Sequence, residues 1–370
     1  MPSIKLINIT KRYGRIVALR NLNLTVKDGE YLCVLGPTGS GKTTLLKLIA
    51  GIVKPDEGEI YIDGKPVNNV PPQERNIAYM PQHYALFPHL SVIDNVAFGP
   101  LSKGFSKDEA YKISMQMLKM TRLAWRANSF PHELSGGMQQ RLALARGLAS
   151  GAKILLLDEP LGALDARLRV ELRYKLREIA EKNNLTAIHV THDQEEAMSI
   201  ADRIAILRNG EIQQIGTPFY VYNEPKNIFV AHFVGEANFF EGFIAEVDLH
   251  GSWIQLRNGF ILRTNEIGKK IGERVVVMIR EEKVRVTKRV RRREETNLFP
   301  GTIKDISLLG DFLSYSILLD NGDRVNSRIP TIMGMKRFKV GEKVYVRLKP
   351  EDLRVYPYPP MGLYRELEVI

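Results

Sequence analysis

Residues 36–43 read GPTGSGKT, a glycine-rich turn that ends in Lys42 and Thr43. Glycines let successive backbone N–H groups turn inward around phosphate oxygens. A lysine at that place reaches the β- and γ-phosphates, and a threonine hydroxyl can bind Mg²⁺. The turn lies between the apolar run EYLCVLG (30–36) and the helix-forming TLLKLIAG, the strand–loop–helix context that this chemistry requires. Gly36, Pro37, Thr38, Gly39, Ser40, Gly41, Lys42, Thr43 and Thr44 are therefore candidate contacts to a nucleotide. KILLLDEP (153–160) places two carboxylates at a strand end, where ligands collect in α/β sheets. Asp158 suits a grip on Mg²⁺ and Glu159 the acceptance of a proton from an attacking water; an Asp158 that only caps the next helix is the structural alternative. His192 ends TAIHVTHD (186–193) and can sense a γ-phosphate, although a loop histidine taken alone is as readily structural. Gln82, in YMPQH, is a weaker signal by itself.

A second anion site is written in LSGGMQQRLALARG (134–147). Ser135, Gly136 and Gly137 open a helix whose free N–H groups and dipole attract negative charge. No lysine or carboxylate within the stretch completes a nucleotide site, so the rest must come from elsewhere.

The elements that position these residues follow from their texture. Up to about residue 235, short branched apolar runs alternate with helical patterns, the mark of an α/β layer. EYLCVLG, KILLLDEP and TAIHVTHD read as buried parallel strands, and RIAILRNGEIQQIG (203–216) as a hairpin around Asn209–Gly210. From about 83 to 150 the pattern turns helical, a subdomain inserted between the phosphate-site motifs. Beyond 236 short β runs take over and repeat: KIGERVVVMIREEKVRV (270–286) and KVGEKVYVRLKPEDLRV (339–355) share 8 of 17 positions, and FFEGFI (239–244) echoes LFPGTI (298–303). Two related small barrel-like units are expected there.

Composition narrows the classes. The 370 residues are 44% hydrophobic and 26% charged, ordinary for a globular chain. One cysteine, Cys33, excludes internal disulfides and cysteine-cluster metal sites and suits a reducing compartment. The N-terminus lacks the apolar core of a secretion signal and no segment approaches a membrane span, so the chain is not expected to cross a bilayer. The net charge of +11 is dispersed; its one dense run, KRVRRR (288–293), is followed by Glu294 and Glu295 and reads as a locally paired polar loop.

GPTGSGKTT, the Gln82 loop, LSGGMQQR, ILLLDEP, GALD and the histidine of VTHD occur in the order found in ATP-binding-cassette (ABC) ATPases, which the chain resembles. The resemblance implies an α/β P-loop NTPase domain over 1–235 with an inserted helical subdomain. An all-β C-terminal domain over 236–370, with two OB-like units and a regulatory or dimerisation role, would follow. It further implies a head-to-tail homodimer sandwiching two ATP molecules, in which Ser135, Gly136 and Gly137 close on the γ-phosphate held by the partner's phosphate loop. By the same resemblance Tyr13 in KRYGR stacks on adenine, Gln82 contacts Mg²⁺ and the attacking water, and Asp165 of GALD speaks across the dimer. Asp165 also looks like the N-cap of ARLRVELRYKLREIAEK. Met138 departs from the family, which carries Gln there, so a polar contact to the opposite nucleotide is expected to be lost.

Repair and chromosome cassettes are split by long coiled coils and translation-type cassettes occur in tandem; neither feature is present, which leaves a transporter motor and no nucleic-acid partner. With no spanning helix, two separate permease subunits would form the pore, with an extracellular solute-binding protein acting indirectly. The chain would then sit peripherally on the cytoplasmic face of the membrane. The segment around Tyr84, Leu86, Phe87 and Pro88 would offer those permeases a groove. GTPFYVYNEPKNIFVAHFVG (216–235) and RLKPEDLRV resemble sugar importers of the maltose and multiple-sugar type, with iron, sulfate, molybdate and polyamine importers sharing the architecture.

Overall fold

A computed structural model describes residues 2–257, 259–288, 296–331 and 338–368. Two compact units lie within Met1–Lys226 and Asn227–Val369. The first opens with the antiparallel strands β1 (Ile4–Tyr13) and β2 (Ile16–Val26), followed by β3 (Tyr31–Leu35) and the helix α1 (Lys42–Ala50). With β4 (Glu57–Ile62) and β5 (Lys65–Pro66), β1 and β2 make a sheet ordered β2-β1-β4-β5. A second sheet carries the candidate chemistry: β6 (Ile77–Met80), β7 (Ile154–Asp158), β8 (Thr186–Thr191), β9 (Arg203–Arg208) and β10 (Glu211–Gly216) join β3 in the order β10-β9-β3-β8-β7-β6. All its neighbours pair in parallel except β10 on β9, the hairpin expected at Asn209 (φ 51°) and Gly210 (φ 77°).

Every residue of β3, β7 and β8 is buried. Covered on both faces, such strands need continuous apolar runs rather than alternation, which is why they were legible as KILLLD and TAIHVT. Their register sets Leu35 beside Thr191 and Asp158 beside Val190, so the residues that follow each strand emerge along one edge. Helices α2 (Val92–Ser102), α3 (Lys107–Met120) and α4 (Gly136–Ala149) pack around Val92, Val96, Leu118, Leu123 and Leu142. Ser106 and Glu109 form a capping box that starts α3. Helices α5 (Ala166–Lys182), α6 (Gln194–Ile200) and α7 (Pro218–Asn223) complete the unit.

The second unit begins with α8 (Ile228–Phe233) and continues as β11 (Ala237–Asp248), β12 (Gly251–Leu256), β13 (Ile261–Thr264), β14 (Arg274–Arg280) and β15 (Arg285–Thr287). Then come β16 (Leu298–Leu309), β17 (Phe312–Leu319), β18 (Arg324–Pro330), β19 (Lys343–Arg347), β20 (Arg354–Pro357) and the short α9 (Leu363–Leu367). The internal repeat is visible as two sheets of one plan, β13-β12-β11-β14-β20 and β18-β17-β16-β19-β15. Each is completed by the last strand of the other repeat, an exchange that sequence similarity alone does not show. Even the irregularities recur: pairing shifts after Ile244 in β11 and after Ile303 in β16. A side chain at Gly242 or Gly301 would lie within 2.8 Å of a neighbouring carbonyl oxygen. Both sheets bury their inner faces in one core, with Ile254, Val277, Ile317 and Val346 fully covered. The polar-loop expectation for 288–293 falls on residues 289–295, outside those described. Lys288 itself pairs with Glu342 and stands 5.7 Å from the Phe338 ring centre.

Candidate functional site

The phosphate loop is held open by backbone that only glycine tolerates. Gly39 (φ 80°) and Gly41 (φ 105°) are left-handed. A Cβ at Gly36 would lie 2.2 Å from the Leu207 carbonyl oxygen, and one at Gly41 2.4 Å from that of Ala18. Gly41 is also the N-cap of α1 and supplies no side-chain acceptor, and no acidic residue occupies the first turn. The helix thus presents unneutralised N–H groups to the loop. The Lys42 ammonium is folded back on the loop, donating to the Gly36 and Pro37 carbonyls at 2.8 Å each. Burial pushes its pKa down, opposed by the charges of Glu159 and Asp158.

Asp158 ends β7, fully buried, and burial pushes its carboxyl up, against the Thr43 hydroxyl that donates to it. Its Oδ2 and the Ser40 Oγ are buried without hydrogen-bond partners. Two orphaned oxygens and a threonine hydroxyl beside a phosphate loop are the oxygen-donor set that fits Mg²⁺, whereas among the described residues no cluster of His, Cys, Asp and Glu would hold a metal without the nucleotide.

Glu159 takes a left-handed backbone (φ 50°), uncommon for a non-glycine residue. Its N–H donates to Val190 O of β8 at 2.9 Å. Its two carboxylate oxygens are claimed by different loops: Gln82 Nε2 donates to Oε2 at 3.2 Å, and His192 Nδ1 lies 3.3 Å from Oε1. An open cleft is lined by Thr38, Gly39, Lys42, Thr43, Gln82 and Glu159, with Ile16 and Ala18 of β2 on the other wall. Tyr13 stands outside that lining at the end of β1, half-exposed, with the Lys11 ammonium 5.5 Å from its ring centre.

Ser135, Gly136 and Gly137 do not line the cleft. Ser135 is the N-cap of α4, its Oγ accepting from Met138 N at 3.4 Å, and a Cβ at Gly136 would meet nothing within 4 Å. The Met138 side chain packs on the helical core. Asp165 caps α5, its Oδ1 accepting from Leu168 N at 3.0 Å, as the capping alternative anticipated. Arg169 ties this loop to the histidine loop, donating to Leu164 O at 3.0 Å and to Asp193 Oδ2 at 3.3 Å.

Several supports went unread in the sequence. Gln140, among apolar neighbours on α4, reaches the turn after Glu159. The fully buried Asn95 accepts from Phe87 N at 2.9 Å and shares its two amide hydrogens among the carbonyls of Phe87, Leu90 and Ser91, each 3.0 Å from Nδ2, fixing the 84–91 loop. Arg146 of α4 donates to Tyr84 O and Ala85 O at 2.9 and 2.7 Å, and Phe87 packs on Phe98 at 4.5 Å between ring centres.

Comparison with known proteins sets this geometry in a family. Residues 19–162 match the ABC transporter family and residues 277–355 the TOBE domain. Over 358 residues the chain is 39% identical to the spermidine/putrescine import ATP-binding protein PotA of Thermotoga maritima, an alignment spanning 93% of this chain and 95% of that protein. The chain belongs to the ABC transporter family. The PotA protein of Clostridioides difficile is 40% identical over 355 residues, 95% of this ABC subunit and 97% of that one. A solved dimeric structure of a bacterial ABC transporter cassette superposes with a TM-score of 0.56 at 38% identity, over 58% of this chain and 98% of that one. The same cassette in a post-hydrolysis state bound to ADP and phosphate gives 0.55 at 37% identity, over the same 58% and 98%. The ABC subunit is thus an ATP-binding, ATP-hydrolysing motor of an importer, built as a P-loop ATPase with a C-terminal TOBE region.

Proposed function

We propose that this ATPase drives polyamine uptake and that its hydrolytic site is completed only when two copies meet head to tail. The observation that carries the second part is a division of labour. Lys42, Thr43, Gln82 and Glu159 line one cleft, and two further residues reach it through them: Asp158 accepts from the Thr43 hydroxyl and His192 Nδ1 lies 3.3 Å from Glu159 Oε1. Ser135, Gly136 and Gly137, an anion-binding helix start, do not line it. The solved cassette's dimeric state supports the same reading.

In this scheme the amides of 36–44 and the Lys42 ammonium cradle the phosphates, the ammonium exchanging its two carbonyl partners for phosphate oxygens. Thr43, Asp158 and Gln82 would hold Mg²⁺, which neutralises phosphate charge when bound. Glu159 accepts the proton of the attacking water, with His192 and Gln82 fixing its carboxylate. Ser135, Gly136 and Gly137 grip the γ-phosphate on the partner's loop, Tyr13 stacks on adenine and Asp165 contacts the partner. Binding energy available only in the closed pair favours closure, and loss of the γ-phosphate reverses it.

For the solute, sugar was the expectation from the C-terminal motifs, whereas the relatives named above are spermidine/putrescine importers matched over nearly the whole chain. Polyamine is therefore the reading we adopt. Two permeases would dock at the 84–91 loop, which holds the motor at the cytoplasmic face of the membrane, and a solute-binding protein outside would supply the cargo. The nucleotide-binding domain is assigned to 1–235; the β domain, 236–370, supplies dimer or regulatory contacts.

Two experiments test this. Glu159→Gln should bind ATP with near-normal affinity and turn it over about 10²–10⁴-fold more slowly; wild-type turnover removes Glu159 as the base. Cells lacking this chain should lose uptake of labelled spermidine or putrescine; loss of maltose uptake instead restores the sugar reading.

A further inference from the structure

We infer that Gln140 is a positioning residue for the Glu159 carboxylate, locking the start of α4 to the hydrolytic turn. The inference rests on the reading of Glu159 as general base. Gln140 is 2% exposed, and its amide is divided between the two ends of one turn. Nε2 donates to Glu159 O at 2.9 Å, and Oε1 accepts from Ala163 N at 2.9 Å. A buried amide whose oxygen and nitrogen each find a backbone partner at that length is a fixed strut, since breaking either bond leaves half of the buried Gln140 amide unpaired.

The turn needs a strut. Glu159 is left-handed at φ 50°, a conformation that a side chain with a Cβ disfavours. It also precedes Pro160, whose ring disfavours compact backbone in the preceding residue and pushes it towards the extended region. Relaxation in that direction would swing the carboxylate away from Gln82 and His192, which hold it from either side. The Glu159 N–H is fixed to β8, but among the described residues its carbonyl has otherwise only the longer 3.4 Å bond from Gly162 N. Gln140 therefore supplies the short bond on the carbonyl side.

Its location gives the strut a second consequence. Gln140 lies one helical turn beyond Gly136 and Gly137, and a Cβ at Gly137 would come within 3.0 Å of Ala163 O. The first turn of α4 and the 159–163 turn are thus in register over two contacts. A shift of α4 as its N-terminus engages a partner's phosphate is transmitted to the carboxylate facing the chain's own nucleotide.

The test compares Gln140→Leu, Gln140→Met and Gln140→Glu, each checked for folding by circular dichroism. The Glu variant keeps the acceptor for Ala163 N–H but loses the donor to Glu159 O. If the apolar variants do not fold, it decides alone. We expect kcat to fall at least about tenfold while KM for ATP stays within about twofold. In a Glu159→Gln background the same substitutions should add no further loss in single-turnover hydrolysis, because Gln140 acts through that carboxylate. Wild-type kcat in a folded variant, a raised KM with unchanged kcat, or an equal further loss in the Glu159→Gln background would each overturn the inference. A normal rate in Glu159→Gln itself overturns the base assignment instead, whatever Gln140 does.

Discussion

At the scale of single residues, the 159–163 turn is held by bonds to its backbone. Glu159 reaches Gln82 and His192 from a conformation that its own sequence disfavours, and the bonds on its N–H and C=O keep it there. Charges farther from the site follow ordinary linkage. Burial opposes ionisation of Asp202, yet Arg177, bound to both its oxygens at 2.7 and 2.9 Å, and Tyr31 N, at 2.8 Å, hold its carboxyl below the ordinary 3.8. A depressed carboxyl contributes stability that is present above its unfolded pKa and lost as pH falls through its folded value. Asp202→Asn should therefore lower the urea midpoint at pH 7, and its gap from the wild type should close as the pH is taken below 3.8. A gap that persists in acid would assign the effect to packing.

At the scale of elements, α1 is the piece on which the phosphate loop depends, and its far end is secured by a buried cation. Arg75 donates to the carbonyls of Leu48 and Ile49 in the last turn of α1 and to those of Val67 and Val70 beside it. It thereby satisfies the orphan Ile49 carbonyl, adds a second donor to that of Leu48, which also accepts from Gly51 N, and meets the negative end of the dipole. Arg75→Leu should destabilise the unit by about 2–4 kcal/mol, since the Ile49 and Val70 carbonyls lose this donor together while those of Leu48 and Val67 keep only their backbone one, and denaturant unfolding followed at 222 nm would measure it. A change below about 0.5 kcal/mol would mean that water replaces the guanidinium. Strands β3, β7 and β8, the phosphate loop and the repeat were legible because each is specified by contiguous residues. Their period, glycine spacing or self-similarity carries the whole message. Gln140, Asn95 and Arg75 were not legible, because a lone polar residue in an apolar stretch reveals its partner only after folding. The exchange of β15 and β20 between the two sheets escaped for the same reason: similarity pairs equivalent strands and is silent about which sheet each one joins.

At the scale of the whole molecule, the account turns on a nucleotide cage divided between two chains. Ser135→Arg would block the α4 N-terminus while leaving the phosphate loop intact, and Lys42→Ala would do the reverse. On this account neither protein alone has a complete cage. In a mixture, head-to-tail pairs would unite the phosphate loop of one with the α4 N-terminus of the other and recover one site of two. The most direct measurement is steady-state ATP hydrolysis by Ser135→Arg, by Lys42→Ala and by their equimolar mixture. The account predicts background rates from each protein alone, and from the mixture up to about a quarter of the wild-type rate if pairing is random. Wild-type turnover by Ser135→Arg alone would contradict it, because the cage would then be complete within a single chain.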